Sequence, residues 1–257
     1  MPATFRETAI KAAKKAGAIQ ERYYERSYSI KEKKDKSFAT EADVQCSKAI
    51  KKIISSAFPD HDIIDEESKP THKESDYRWI IDPIDGTHNF MVGSPLFGAS
   101  IALQYRKEVI LGVIYFPILK KLYIAEKGKG VSCNGKKISV NKNQDLKQSF
   151  FMFDSHIKRD TDLKLKLLKK IAARTWSVRL TGVCVFNLAS IANGGIEFYI
   201  DFGIHSWDIS AGALILEEAG GKVTDLEGNR WTPEIKDFVA SNGAIHNRVL
   251  KLIKNSR

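Results

Sequence analysis

Three groups of carboxylates stand beside turn-forming residues in a lysine-rich chain: Asp65-Glu66-Glu67-Ser68, Asp82-Pro83-Ile84-Asp85-Gly86-Thr87 and Trp207-Asp208. Close-set oxygen ligands of this kind suit hard cations, magnesium above all. In the middle group Pro83 has a fixed φ and no N–H for a sheet ladder, which predicts that the chain leaves the sheet at Asp82. Gly86 opens backbone conformations that a side chain would close. The expected result is two carboxylates, three positions apart, on one tight loop at a strand's end. With a helix opening over 87–90, N–H groups near Gly86 and Thr87 would face a phosphate beside the ion. Asp208, near a helix N-terminus, is electrostatically favoured there and placed to complete a ligand set. A calcium loop is excluded, because Ile84 sits where a third alternating oxygen ligand is needed and no bidentate Glu follows at the right distance. Each group also has a plainer reading. Asp-Pro and Asp-Gly are common turn dipeptides, Glu66 and Glu67 suit a solvated surface, and Asp208 suits a helix cap. Spacing alone does not bring the three groups together.

The elements that must position these residues follow from periodicity. Residues 4–24 read as a helix, with Phe5, Ala9, Ala12, Ala13, Ala16 and Ile19 on one face. Residues 25–39 are polar and read as a loop or flexible arm. Thr40, with Asp43 three residues on, fits the N-cap of a helix through Ala57. Residues 62–65, 77–82, 97–105, 109–116 and 121–126 read as strands, with Asn134-Gly135 as a turn, and predict an antiparallel meander. The second half alternates: strands over 150–153, 177–180, 196–201 and 239–241, helices over 160–173, 184–193, 208–219 and 244–254. Gly220-Gly221 supplies a stop for the third of these helices. Such alternation implies a layered α/β arrangement, with a boundary near residue 145 dividing portions 1–145 and 146–257. In 162–172 the leucines fall on one face and the lysines on the other, the pattern of a surface helix.

Composition sets outer bounds. A chain of 257 residues with 43% hydrophobic and 28% charged residues is ordinary for a globular protein. No apolar run is long enough for a membrane span, and the first twenty residues lack the apolar stretch of a secretory signal. Cys46, Cys133 and Cys184 are far apart and in no CxxC pair, which points away from disulfides or structural zinc and toward a reducing cytoplasm. The 41 basic and 31 acidic residues leave a net charge of +10. Nucleic acid could be drawn to such a surface, but acids are mixed among the lysines and no aromatic–basic RNA signature or helix-turn-helix is present, so a solvated exterior is the favoured reading.

WIIDPIDGTHNF (79–90) resembles the signature of the inositol monophosphatase family, within the lithium-sensitive, magnesium-dependent phosphatases. WDISAGALILEEAGG (207–221) is similar to that family's second signature, and IIDEES (63–68) looks like its upstream glutamate motif. Further similarity runs from the 40–43 region through PLFGASIAL, LGVIY, EKGKG and NGKKISV to VASNGAIH, so it covers nearly the whole chain. The resemblance implies an α/β fold, a layered α-β-α-β-α sandwich, usually as a homodimer. It implies two or three magnesium ions. Glu66, Asp82 and the carbonyl of Ile84 would hold the first, and Asp82, Asp85 and Asp208 the second. Glu66 and Thr87 would orient and deprotonate the attacking water, with Asp43 linked to the Thr87 hydroxyl. Backbone N–H groups of Gly86 and Thr87 would bind phosphate, and Asp85, Cys184 and Asp201 would face the substrate. Such chemistry needs no nucleophilic cysteine, and His61, His72 and His156 read as surface residues.

The departures bear on substrate. His88 stands where the family usually has a second Thr, Ser37 where many inositol phosphatases have Asp, and Asp201 where they often have Glu. Lys33, Lys34 and Lys36 all fit a family lysine near the site. The implied activity is hydrolysis of myo-inositol monophosphate or a similar small sugar phosphate. Histidinol phosphate, fructose 1,6-bisphosphate and adenosine 3′,5′-bisphosphate are the alternatives, and a nucleic-acid-binding role or an inactive interaction protein is a rival from outside the enzyme class.

Overall fold

Helices α1 (Phe5–Tyr23) and α2 (Glu41–Ala57) begin the chain in the computed structural model, which describes residues 4–26, 29–32, 38–158 and 160–254. Each starts with a reciprocal cap, Thr4 with Glu7 and Thr40 with Asp43, so orphan first-turn N–H groups are satisfied by side chains. Strands β1 (Ile30–Glu32) and β2 (Phe38–Thr40) pair antiparallel where the sequence suggests only a loop. Ser37, Lys33, Lys34 and Lys36 lie outside the described residues. Small residues let α1 and α2 pack closely: Ala9, Ala12, Ala13 and Ala16 are all fully buried.

The first sheet contains β3 (Asp62–Asp65), β4 (Tyr77–Asp85), β5 (Gly98–Tyr105), β6 (Glu108–Phe116), β7 (Lys121–Glu126), β8 (Gly130–Cys133) and β9 (Lys136–Lys137), in that spatial order. β3 runs parallel to β4 and the rest form the expected meander. Asn134 and Gly135 turn β8 into β9 with φ of 49° and 78°, as an Asn-Gly hairpin requires. One expectation fails. The chain does not leave the sheet at Asp82: β4 pairs Asp82 with Ser100, shifts register, and pairs again at Asp85 with Gly98. Pro83 sits inside that irregularity, where no ladder N–H is needed. The short helix α3 (Thr87–Met91) follows directly.

The second half holds β10 (Phe150–Phe153), α4 (Thr161–Ala172), β11 (Ser177–Arg179), α5 (Cys184–Ala192), β12 (Phe198–Asp201), α6 (Ser206–Glu218), β13 (Lys222–Thr224), β14 (Phe238–Ser241) and α7 (His246–Lys254). The strands form a sheet ordered β11-β10-β12-β14-β13, parallel among the first three and antiparallel beyond. β13 is an addition to the elements read from sequence.

Alternation along each strand sorts the side chains into layers. Trp79, Ile81, Ile101 and Val113 face α1 and α2, whereas Ile80, Ala102 and Ile114 share a core with Leu188 of α5 and Leu214 of α6. The inner face of the second sheet, with Tyr199 and Ala240, belongs to that same core. Its outer face, with Phe151, Phe198 and Val239, packs on Leu167 of α4 and Val249 of α7. The result is the α-β-α-β-α sandwich. α6 is buried at every position from Ile209 to Leu216, as a helix between two sheets must be. Gly112 marks how closely it lies on β6, since a Cβ there would meet the Ala211 carbonyl oxygen at 2.8 Å.

Two surface readings are corrected. Lys164 of α4 is only 1% exposed while Leu165 is 47% exposed, so the helix is not cleanly divided. His61 is half-buried: it accepts the Trp79 indole N–H at 3.1 Å and stacks on Tyr77 at 4.7 Å. His72 is exposed as expected. Among the described residues no helix is long and apolar enough to cross a membrane.

Candidate active site

A cleft of about 280 Å³ opens where the end of β4, the start of α3, the end of β12 and the starts of α5 and α6 meet. The first half contributes Glu66, Asp82, Ile84, Asp85, Gly86 and Thr87; the second contributes Gly182, Cys184, Asp201 and Asp208. The three carboxylate groups that spacing could not join therefore face one cavity. Asp43 is fully buried behind the wall.

The Asp82–Thr87 loop is held from inside. Asp82 Oδ1 accepts the Ile84 N–H at 3.0 Å, and the buried Gln20 amide of α1 donates to the Pro83 carbonyl at 2.7 Å. Gly86 has φ of 94°, and a Cβ there would meet Val183 Cγ2 at 2.8 Å and the Leu96 carbonyl oxygen at 2.9 Å. Both the left-handed backbone and the lack of space require glycine. Thr87 then begins α3, whose ladder starts when the Phe90 N–H donates to the Gly86 carbonyl. The Thr87 hydroxyl lies 3.2 Å from Asp43 Oδ1 and 3.1 Å from the Ile84 carbonyl oxygen. Asp43 Oδ2 accepts from both the N–H and the hydroxyl of Thr40, so the cap of α2 also fixes the residue behind Thr87.

Glu66 enters from the turn after β3. That turn is pinned through Asp65, whose Oδ2 accepts from Ser47 at 2.6 Å and Ser68 at 2.8 Å and pairs with Lys51 at 3.1 Å. Asp85 Oδ2 accepts the Val185 N–H at 2.6 Å. Asp208 is not the helix cap. α6 begins at Ser206 with His205 as its N-cap, and Asp208, in the third helical position, accepts the His205 N–H at 2.7 Å.

Electrostatics sets the character of the cleft. Asp82 and Asp85 are 2% and 7% exposed. Burial pushes the Asp82 carboxyl well above its usual range, and the charges of Glu66, Asp85, Asp208 and Asp43 push it further. Asp85 is raised by burial and by Asp208, against the hydrogen bonds from the Val185 and Cys184 N–H groups. Asp43 is pushed up to about 6, by burial first. Among the described residues no three His, Cys, Asp or Glu side chains are gathered into a ready-made cage. The site instead concentrates hard-oxygen negative charge, which a divalent cation would neutralise. The donor set fits magnesium.

Elsewhere in the cleft lining, Asp201 accepts hydrogen bonds from the Tyr199 hydroxyl and, at 2.9 Å, from the Phe202 N–H. Its carboxyl is pushed up to about 7, by burial first and then by Asp154. The Cys184 thiol is raised by burial and by Asp201, Asp85 and Asp208, which keeps it protonated and unsuited to nucleophilic attack. His156 is exposed, as read from the sequence, and it also lines the cleft with His88 and His205. Sequence reasoning also missed Gln20, and Asn89, whose amide donates to the carbonyls of Leu96 at 3.0 Å and Thr181 at 2.8 Å. Asn89 stands within the WIIDPIDGTHNF stretch, which is the signal that could have found it; Gln20 gives none, being one polar residue at a helix end.

The model of the inositol monophosphatase family matches residues 1–257. A fructose-1,6-bisphosphatase/inositol-1-monophosphatase of Aquifex aeolicus is 37% identical over 228 residues, covering 88% of this chain and 85% of its own. Nus factor SuhB of Pasteurella multocida is 33% identical over 251 residues, with 96% and 94% covered. The crystal structure of the extragenic suppressor protein suhB from Bartonella henselae superposes with a TM-score of 0.94 at 30% identity, covering 97% of this chain and 98% of its own. The chain belongs to the inositol monophosphatase family and is a phosphatase of small phosphorylated substrates.

Proposed function

We propose that this protein is a magnesium-dependent phosphomonoesterase acting on myo-inositol monophosphate or a similar small sugar phosphate. The observation that carries this reading is the convergence of Glu66, Asp82, Asp85 and Asp208 on one cleft, with the raised Asp82 and Asp85 carboxyls reporting uncompensated charge. Glu66, Asp82 and the Ile84 carbonyl would hold one ion; Asp82, Asp85 and Asp208 would hold a second. When bound, magnesium supplies Lewis acidity that lowers the pKa of a water, neutralises the phosphate and stabilises the leaving alkoxide.

The chain's own residues do the positioning. The N–H groups of Gly86 and Thr87 bind the phosphate at the start of α3. Thr87, held through its hydroxyl by Asp43, orients the attacking water, and Glu66 on the facing turn accepts its proton. Asp201 and the backbone around Gly182 and Cys184 receive the alcohol portion. In-line attack then depends mainly on placement and preorganised charge.

The test is phosphate release from a panel of esters with and without magnesium and lithium. Magnesium-dependent, lithium-inhibited release from myo-inositol 1-phosphate supports the reading. A wide margin in favour of histidinol phosphate would move the assignment to that substrate.

A further inference from the structure

Gln20 sits where the periodicity of α1 calls for an apolar residue. It continues the stripe of Ala9, Ala12, Ala13 and Ala16 and is fully buried. Its amide donates to the Pro83 carbonyl at 2.7 Å, while its Oε1 finds no hydrogen-bond partner among the described residues. An orphaned buried acceptor is destabilising. An aliphatic side chain would fill the space without that cost. What the amide adds is one donor, delivered to Pro83.

The need for that donor follows from the way β3 ends. Buried carbonyls along an edge of β4 require donors from whatever lies beside them. The Glu66 N–H reaches the Ile81 carbonyl at 3.3 Å, next to the last β3–β4 pair, Asp65 with Ile81. There the chain turns away from β4 to carry Glu66 into the cleft. Two residues further along β4, Pro83 lies beyond that last pair. The irregularity between the Asp82–Ser100 and Asp85–Gly98 pairs places it outside the β5 ladder as well. Gln20 takes the place of the missing strand. The peptide it holds is also fixed at its other end, since the Ile84 N–H donates to Asp82 Oδ1 at 3.0 Å. On either side of this peptide stand the Asp82 carboxylate and the Ile84 carbonyl, which accepts from the Thr87 hydroxyl at 3.1 Å.

We propose that Gln20 is a positioning residue for the cation site: by fixing the Pro83–Ile84 peptide it sets the direction of the Asp82 carboxylate and of the Ile84 carbonyl. This rests on the phosphomonoesterase reading of the cleft, in which those two groups hold the same ion. Without the Gln20 donor the Pro83 carbonyl is left unpaired, and the peptide is free to rotate toward another donor. Its N–H then turns away from Asp82 Oδ1, and Ile84 is displaced with it. Both ligands lose their preset geometry, so cation binding weakens while the fold persists.

The experiment titrates magnesium into full-length wild type, Gln20→Met, Gln20→Leu and Thr8→Val by calorimetry. Urea unfolding and phosphate release from myo-inositol 1-phosphate are measured on the same preparations. Thr8 is the control, a second buried polar residue about three turns nearer the start of α1. Both Gln20 variants are expected to bind magnesium about tenfold more weakly, as removal of a residue that orients a metal ligand does. Half-maximal release should need correspondingly more magnesium, with kcat largely restored at saturation. Thr8→Val is expected to bind magnesium as wild type does. Unchanged affinity in a folded Gln20 variant, equal weakening in Thr8→Val, or loss of the fold in both Gln20 variants overturns the positioning role. A wild type that binds no magnesium and releases no phosphate would overturn the reading of the cleft, and the positioning role with it.

Discussion

The Asp85 carboxylate closes the N-terminus of a helix that begins a hundred residues further along, its Oδ2 accepting the Val185 N–H at 2.6 Å. α5 has no cap of its own, since its N-cap position is Val183 and supplies no side-chain hydrogen bond. An acidic residue of the first sheet therefore satisfies orphan donors in the central helical layer and favours its positive end. The same carboxylate faces Asp208 and Glu66, so one side chain joins the two halves and belongs to the proposed ion site.

That dual position gives Asp85→Asn a distinctive outcome. Asn caps helices about as well as Asp, and the change removes repulsion from Asp208 and Glu66. Stability should stay within about 1 kcal/mol of wild type, while kcat falls on the order of 10³-fold. Urea unfolding and phosphate release on the same preparation check both halves of the prediction.

Thr87 and Asp43 predict a pH effect on rate. Burial and Glu67 raise the Asp43 carboxyl to about 6, against hydrogen bonds from Thr40 and Thr87. Above that pH it is ionised and accepts from the Thr87 hydroxyl; below it, protonation ends that role. The rate should fall as pH drops through about 6, or lower once bound cations favour the ionised form. Asp43→Asn should lower the plateau and flatten this acid limb, and Thr87→Val should be slower than Thr87→Ser. An acid limb unmoved by Asp43→Asn would contradict the assignment.

Much of this site was legible in the sequence for a local reason. Thr40 with Asp43, the bend at Pro83 and the strict glycine at 86 are set by neighbours a few residues away, and each is seen in place. The turn dipeptides gave the bend but not its outcome, because β5 recaptures the chain at Asp85 through a pairing made by a different strand. The start of α6 was read two residues late, at 208 instead of Ser206, because the N-cap residue, His205, carries no cap signal. Lys164 was misplaced because helical periodicity cannot know that Asp154 waits on the buried side. The fold's layers followed from alternation; convergence of three acidic groups did not, and only the resemblance anticipated it.

The buried Lys164–Asp154 pair is testable by a double-mutant cycle. Both side chains are almost wholly buried, and hydrogen bonds from His156 and Lys164 outweigh burial to hold the Asp154 carboxyl below its usual value. Removing one partner strands the other charge, so Lys164→Met should cost about 3–5 kcal/mol in chemical unfolding. The double variant Lys164→Met/Asp154→Leu should recover a large part of that loss.

His246 predicts a pH effect on stability that lies far from the cleft. It is fully buried, with Nε2 2.9 Å from the Thr224 hydroxyl and Nδ1 2.8 Å from that of Ser241. The Thr224 proton goes to the Asp225 carbonyl, so the ring donates from Nε2 and accepts at Nδ1 as a neutral imidazole. Burial, with Lys222 adding to it, lowers its pKa from 6.5 to about 4. The unfolded chain binds the proton first. Stability is therefore undiminished above about 6.5 and declines as pH falls toward 4, by about 3 kcal/mol. In unfolding measured from pH 7 to pH 4, His246→Gln should show a shallower decline than wild type.

The central claim, that these carboxylates serve a cation which serves phosphate hydrolysis, is tested most directly by release of phosphate from myo-inositol 1-phosphate across a magnesium titration. The account predicts no turnover in EDTA, saturable recovery with magnesium in wild type, and recovery to only on the order of a thousandth of that rate in Asp85→Asn, with stability within about 1 kcal/mol of wild type. Turnover at full rate in EDTA, or an Asp85→Asn enzyme that recovers like wild type, would contradict it.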